Sequence, residues 1–250
     1  MKHKILSFSV ISFFAAMAFV SCGKKETTVT AIDPSFSEEF DTLSSSVKRG
    51  WVIANNSRPI GTLPWVQGFF YLSQNHDYDG KAGATNPYYY NGFGGMNPSF
   101  SGADFAMATA NSGGPVSVIS NWLISPAVMV KNGDIITFYT RTVDNPASGA
   151  DRLQVRVNPV NGSADVGRDA TSVGNFSEVL LDINPDYLLE GDGSYPGDWE
   201  QFTVVVSGMP GKNAQLSRIA FRYFVEDGGP AGNNSLAIGI DKFNFLSVNK

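Results

Sequence analysis

From residue 33 onward, apolar and polar positions alternate along the chain with a period of two. Residues 151–157 show it most cleanly: Leu153, Val155 and Val157 fall on one face, Arg152, Gln154 and Arg156 on the other. Such alternation predicts a strand with one face in a core and one face in water. Residues 134–142, 200–207, 218–225 and 236–248 read as further strands, and 103–108 alternates more loosely. Turn-forming pairs separate them: Asn132-Gly133, Asn161-Gly162, Asp192-Gly193, Pro210-Gly211 and Asp227-Gly228-Gly229-Pro230. No long stretch repeats at the helical 3.6. The elements therefore predict an all-β sandwich or barrel.

Two segments break the pattern. In the last strand, Leu236, Ile238 and Ile240 share one parity while Phe243 and Phe245 take the other. A phase switch inside one strand predicts a β-bulge at Asp241 and Lys242. Residues 73–102 are rich in Gly, Asn, Pro and Tyr, with little strand pattern, and read as a long irregular surface insertion.

The N-terminus has a different logic. A basic start at Lys2, His3 and Lys4 precedes an uncharged apolar run, residues 5–20, too short for a comfortable membrane span of roughly 20 residues. This is the order of an export signal. The run ends Phe19-Val20-Ser21-Cys22, which resembles the bacterial lipobox, with Phe19 where Leu is usual. The resemblance implies a signal peptide over 1–21 and lipidation of Cys22. Several acyl chains on one residue hold a membrane more firmly than the marginal grip of one. Residues 22–32 are polar and read as a tether with a reach on the order of 30 Å. One domain, 33–250, follows. Gly23 does not resemble the Asp that retains lipoproteins at an inner membrane, so the outer membrane is expected, on its periplasmic or its surface face.

Composition narrows the chemistry. The net charge of −5 lacks the basic footprint of a nucleic-acid binder, so no nucleic acid is expected as partner. Cys22 is the single cysteine, which excludes an internal disulfide and a Cys-rich metal centre. With two His, one of them His3 in the signal segment, zinc and a Ser-His-Asp nucleophile have no support. No glycine-rich loop opens a helix, so no nucleotide is expected.

Several boxes together resemble a known family. They are Phe36-Ser37-Glu38-Glu39-Phe40, then Gly50-Trp51 and Trp65, then Trp122-Leu123-Ile124-Ser125-Pro126. Thr140-Arg141-Thr142, residues 195–199 and 218–223, and the closing Ile238-Gly239-Ile240-Asp241 complete the order. This order is similar to the choice-of-anchor J domain, a relative of the cleaved adhesin domain and, more distantly, of MAM-type jelly rolls. The resemblance implies a jelly-roll β-sandwich of two antiparallel sheets, placed outside the cytoplasm, with a role in binding or adhesion and no named ligand. It also implies one structural Ca²⁺ between the first and last strands, for which Glu39, Asp41 and Asp241 are the candidate oxygen ligands.

Other candidate sites come from the residues themselves. Residues 75–80 match the first half of an EF-hand loop, but position twelve would be Asn86. Tyr88, Tyr89, Tyr90 and Phe93 gather rings in the insertion, where they either stack on a ligand or fold back as a small core. Arg152 and Arg156, joined by Arg141 and Arg222, would make a basic sheet face suited to carboxylates, unless neighbouring acids neutralise it. Glu178, Asp182, Glu190, Asp192, Asp198 and Glu226 are acids from which a glycoside hydrolase would draw its pair. The principal expectation is a membrane-anchored binding module for a glycan or a cell-surface protein. A structural component of an envelope complex and a polysaccharide hydrolase are the alternatives.

Overall fold

A computed structural model describes residues 34–69, 103–143 and 149–248. The lipobox, the tether, the EF-hand-like run, Tyr88, Tyr89, Tyr90 and Phe93 lie outside the described residues. The strands are β1 (Phe36–Glu38), β2 (Val52–Asn55), β3 (Arg58–Ile60), β4 (Val66–Phe69), β5 (Ala103–Thr109), β6 (Gly113–Ile124) and β7 (Val128–Val130). After them come β8 (Ile135–Thr142), β9 (Leu153–Val157), β10 (Glu178–Ile183), β11 (Glu200–Val205), β12 (Gln215–Ser217), β13 (Ile219–Gly228) and β14 (Ala237–Leu246). One short helix, α1 (Leu43–Lys48), follows β1.

All pairings are antiparallel. The first sheet runs β11-β8-β14-β5-β4, with β1 also on β14; the second runs β10-β9-β13-β6-β2, with β3 also on β6. A two-stranded ribbon, β12-β7, is separate from both. Two six-stranded antiparallel sheets around one apolar layer make a sandwich of the jelly-roll kind, as the alternation predicts.

The core forms where the inward parities meet. Ile136 and Phe138 of β8, Leu153, Val155 and Val157 of β9, Phe221 of β13, and Phe243 and Phe245 of β14 are all buried. Rings link the two layers edge to face: Phe40 to Trp51 at 4.9 Å, Trp51 to Phe243 at 5.3 Å, Phe243 to Phe221 at 5.8 Å, and Phe221 to Phe138 at 4.9 Å. Such contacts add to the burial itself about 0.5–1.5 kcal/mol each. The predicted bulge is present: the β14–β8 register shifts between Asp241 and Asn244, and Lys242 takes φ 48°. It lets Ile238 and Ile240 before it, and Phe243 and Phe245 after it, all face inward.

The Trp-Leu-Ile-Ser-Pro box also has a physical role. Trp122 faces outward and Leu123 inward, and Ser125 receives the start of β13. Its amide donates to the Ile219 carbonyl at 2.8 Å, and its Oγ accepts from the Ile219 amide at 2.9 Å. One boundary differs from expectation. The turn chemistry of Asp227-Gly228 predicts a turn there, but β13 continues to Gly228, opposite Ser117, through a bulge after Val225.

Candidate functional site

The polar side of β9 is not wet. Gln154 and Arg156 are buried, as is Arg222 beside them on β13. Residues 158–177 connect β9 to β10 and lie across this face. Val166 and Phe176 from that connection pack on Trp122, Ile124 and Ala220. The guanidinium groups hold it down. Arg156 Nη1 donates to the Phe176 carbonyl at 2.8 Å, and Arg222 Nη2 to the Ala170 carbonyl at 2.5 Å. Arg222 also donates to Ser120 Oγ at 3.0 Å and to Gln154 Oε1 at 3.2 Å, and its guanidinium lies 3.8 Å from the Phe224 ring centre and 4.9 Å from that of Trp122. Burial, with the Arg156 and Arg152 charges beside it, pulls Arg222 down to about 9, so it still carries its proton at neutral pH.

Arg152 is paired bidentately with Asp182, at 2.9 and 2.7 Å, and stacks between Phe224 and Tyr187. Burial pushes Asp182 up, but hydrogen bonds from Arg152 and Gln154 outweigh it and hold the carboxyl below its ordinary value. An acid kept ionised in this way is not a proton donor for glycoside hydrolysis. In this structure Arg156 and Arg222 hold the covering loop, while Arg152 is engaged with Asp182, Tyr187 and Phe224. Alternation told correctly which side chains point away from the core, but not that a later connection covers them. Arg141 lies on β8 in the other sheet, apart from Arg152, Arg156 and Arg222.

The first sheet has a different outer face. Cross-strand register places Ser37, Asn244, Thr137 and Thr203 in one row over β1, β14, β8 and β11. Ser37, Asn244 and Thr203 are exposed and Thr137 is half-buried. With strands about 4.8 Å apart, the row spans roughly 14 Å. The next row holds Gln201, Tyr139 and Asp241, and the row on the other side Val205, Ile135 and Leu246. Beyond Tyr139 the face closes. Arg141 is buried, donates to the Thr142 and Gly197 carbonyls, and lies 3.4 Å from Asp198. Phe105 and Met107 are buried there under Trp199, whose ring meets Phe105 at 5.5 Å. Gly68 allows this, because a Cβ on it would lie 2.1 Å from the Phe105 ring.

The open part of this face thus offers hydroxyl, amide and phenol groups at regular spacing. Sequence reading singled out only Arg141 and Asp241 on it. The strict alternation of Ile135, Thr137, Tyr139 and Arg141 was the signal for the others. Phe69 and Ala103, the described residues on either side of 70–102, are paired positions of β4 and β5.

Of the three calcium candidates, Glu39 and Asp41 are exposed and line a cleft of about 380 Å³ with Ser37, Glu38, Thr42, Ser45 and Arg49. Glu38 in this cleft is buried and paired with Arg49 at 2.5 Å. Asp241 is buried at the β14 bulge, its carboxylate accepting from the Lys242 amide at 2.8 Å. Among the described residues no three His, Cys, Asp or Glu side chains are placed to share an ion. Glu39 and Asp41 thus sit in the exposed cleft, and Asp241 is buried at the β14 bulge.

Fold and face together define a β-sandwich domain with one closed and one open polar face. No family model matches the chain, and no curated protein matches it in sequence. Among solved structures it is similar to the K3 cleaved adhesin domain of Lys-gingipain from Porphyromonas gingivalis, at 16% identity and TM-score 0.50, over 85% of this chain and 98% of that one. The K1 domain of the same protein matches at 17% identity and TM-score 0.48, over 86% and 99%. A xylan-binding domain from Paenibacillus barcinonensis Xyn10C matches at 11% identity and TM-score 0.37, over 86% and 94%. The likeness to the K3 domain shows a shared sandwich fold.

Proposed function

We propose that the chain is a non-catalytic, extracytoplasmic binding module of the choice-of-anchor J kind, which holds a neutral glycan against the outer face of its first sheet. The observation that carries this reading is the row Ser37–Asn244–Thr137–Thr203 beside Tyr139 and Gln201. These are uncharged hydrogen-bonding groups, in register across four strands, with a ring available for stacking on a sugar. The lipobox-like Cys22 supplies the anchor in this reading, in the outer membrane, through a thioether-linked lipid. Domain boundaries follow, with 1–21 removed, 22–32 as tether and 33–250 as the binding domain.

A glycan array followed by titration calorimetry, each with and without calcium, tests the binding half. Tyr139→Ala is expected to weaken the selected glycan about tenfold, which matches 1.4 kcal/mol of lost contact. Binding that is insensitive to changes at Tyr139, Thr137 and Thr203 would refute the assignment of the face. Capture of a cell-surface protein, and no sugar, would replace the ligand class. Fatty-acid labelling of the processed chain, lost in Cys22→Ser, tests the anchor separately.

A further inference from the structure

Among the described residues, five of the exposed large apolar side chains share one end of the sandwich, while Ile60, Val116, Leu188 and Leu189 lie toward the other. β1 begins, β14 ends, β8 begins and β11 ends at the same end of the sandwich, as the register of these strands requires. The domain's two chain ends are tied together there: the Ser247 amide donates to Ser35 Oγ at 2.9 Å, and the Val248 amide to Asp134 Oδ1 at 3.0 Å. Val205 and Leu246 flank Ile135 in one cross-strand row at this end, 58% and 46% exposed. The ribbon β7-β12 bridges from β6 to β8 at the same end and carries Met129 opposite Leu216, 42% and 52% exposed. Val160 joins them at 62%: its loop lies on β12 through Gln215 Nε2, which donates to the Pro159 carbonyl at 2.8 Å.

Five large apolar side chains thus stand in water around the point where the N-terminal segment enters the domain at Pro34. Single exposed apolar residues need no explanation, but a set gathered at one end does. From Cys22 to Pro34 the chain reaches at most on the order of 40 Å, so an anchor at Cys22 would hold the domain within that distance of the bilayer, attached through this end. Lys131 and Lys212, in the turns beside Met129 and Leu216, add cationic groups of the kind that favour anionic headgroups. Asp134 between them is buried and occupied by the Lys131 and Val248 amides. Glu178 is the half-buried acid nearby, against Gly208.

We infer that this end is a membrane-contact surface: Met129, Val160, Val205, Leu216 and Leu246 rest on the lipid to which the chain is tethered. The inference builds on the lipid-anchor reading. Contact at this end stands the strands away from the bilayer and leaves the Thr137–Tyr139 face turned sideways, accessible to a ligand. The tether then limits distance, while the apolar end sets orientation.

Hydrogen exchange on the mature lipidated chain, in vesicles of phosphatidylethanolamine and phosphatidylglycerol, tests it against the same chain in detergent. In vesicles, amides of residues 128–135, 205–217 and 244–248 are expected to exchange about tenfold more slowly, while those around Ile60, Val116 and Leu189 at the opposite end do not change. The double variant Val205→Asp/Leu216→Asp should lose this protection and keep its melting temperature, since both side chains are exposed. Equal exchange in both settings, or protection centred on the opposite end, would overturn the inference. Should intact mass show no lipid on Cys22, the anchor reading itself has failed. Coupling the single thiol of the mature chain to a maleimide lipid then still asks whether this end meets a bilayer.

Discussion

Asp151 offers a sharp test of how the sandwich is held together. It is fully enclosed and accepts at both oxygens: the Tyr223 hydroxyl at 2.5 Å and the Leu236 amide at 2.8 Å on one, the Thr142 hydroxyl at 2.5 Å on the other. Thr142 belongs to the first sheet and Tyr223 to the second, so one carboxyl ties both layers at the end opposite the termini. Burial raises its pKa, against the opposing effect of these hydrogen bonds. Asp151→Ala leaves the Tyr223 hydroxyl and the Leu236 amide buried without an acceptor, at about 1–3 kcal/mol each. Thr142 is spared, since its hydroxyl also reaches the Ala237 carbonyl at 3.0 Å. The loss is partly offset because no carboxylate has to be desolvated, and about 2–4 kcal/mol remains.

Asp151→Asn behaves differently. Its Oδ1 still takes Tyr223 and Leu236, and its Nδ2 can donate to Thr142 Oγ1 once that hydroxyl turns to Ala237. A cost below about 1 kcal/mol is expected. The pH dependence has a definite sign. With the folded pKa above the unfolded one, the folded chain binds more protons between the two values, so stability falls as pH rises across that window. Urea melts followed by fluorescence of the buried Trp51, Trp65 and Trp122, from pH 4 to 8, measure this. Relative to Asp151→Asn, the natural chain should lose stability as pH increases from about 4, the ordinary carboxylate value. If Asp151→Asn were as damaging as Asp151→Ala, or if the natural chain gained on it with rising pH, the account of this junction would be wrong.

Three further outcomes follow from particular contacts. Arg222→Met should cost about 3 kcal/mol, from lost bonds to Ser120, Gln154 and Ala170 and lost stacking on Phe224 and Trp122, and should speed proteolysis within 158–177. Gly68→Ala should destabilise by about 1–3 kcal/mol, because the buried Phe105 ring 2.1 Å from the new Cβ has to move; calorimetry reads this as a lowered Tm. Lys242→Gly should raise Tm slightly, by relieving about 1 kcal/mol of left-handed backbone strain, whereas Lys242→Val at the same φ of 48° should lower it.

The fold was legible because its signals are local. A period of two announces a strand whatever lies elsewhere, and the parity change between Ile240 and Phe243 located a bulge, since only an extra residue keeps both sets of side chains inward. The site was less legible, because exposure is not local. Arg152, Gln154 and Arg156 alternate with the core as clearly as Thr137 and Tyr139 do, and nothing within β9 or β8 says which face stays open. The difference lies in the connections. After β9 the chain supplies residues 158–177, whose carbonyls, through Ala170 and Phe176, have no strand partners and meet the guanidinium donors. The row over β1, β14, β8 and β11 carries side chains too short and uncharged to hold a covering loop in that way.

This difference bears on function. A buried guanidinium needs acceptors fixed around it, and Arg222 takes its acceptors from β6, β9 and the covering loop at once. Opening that face to a ligand would strip several of these bonds together, which makes it a poor site for reversible binding. The Thr137–Tyr139 face makes no such demand. Its exposed hydroxyls and amides are open to water, and in the proposed reading they exchange that water for a ligand's hydroxyls at nearly even cost. Under the proposed function, binding there leaves the core, the Asp151 junction and the Arg222 clamp undisturbed, and substitutions at Thr137, Tyr139, Gln201 and Thr203 are expected to change specificity with little effect on the fold.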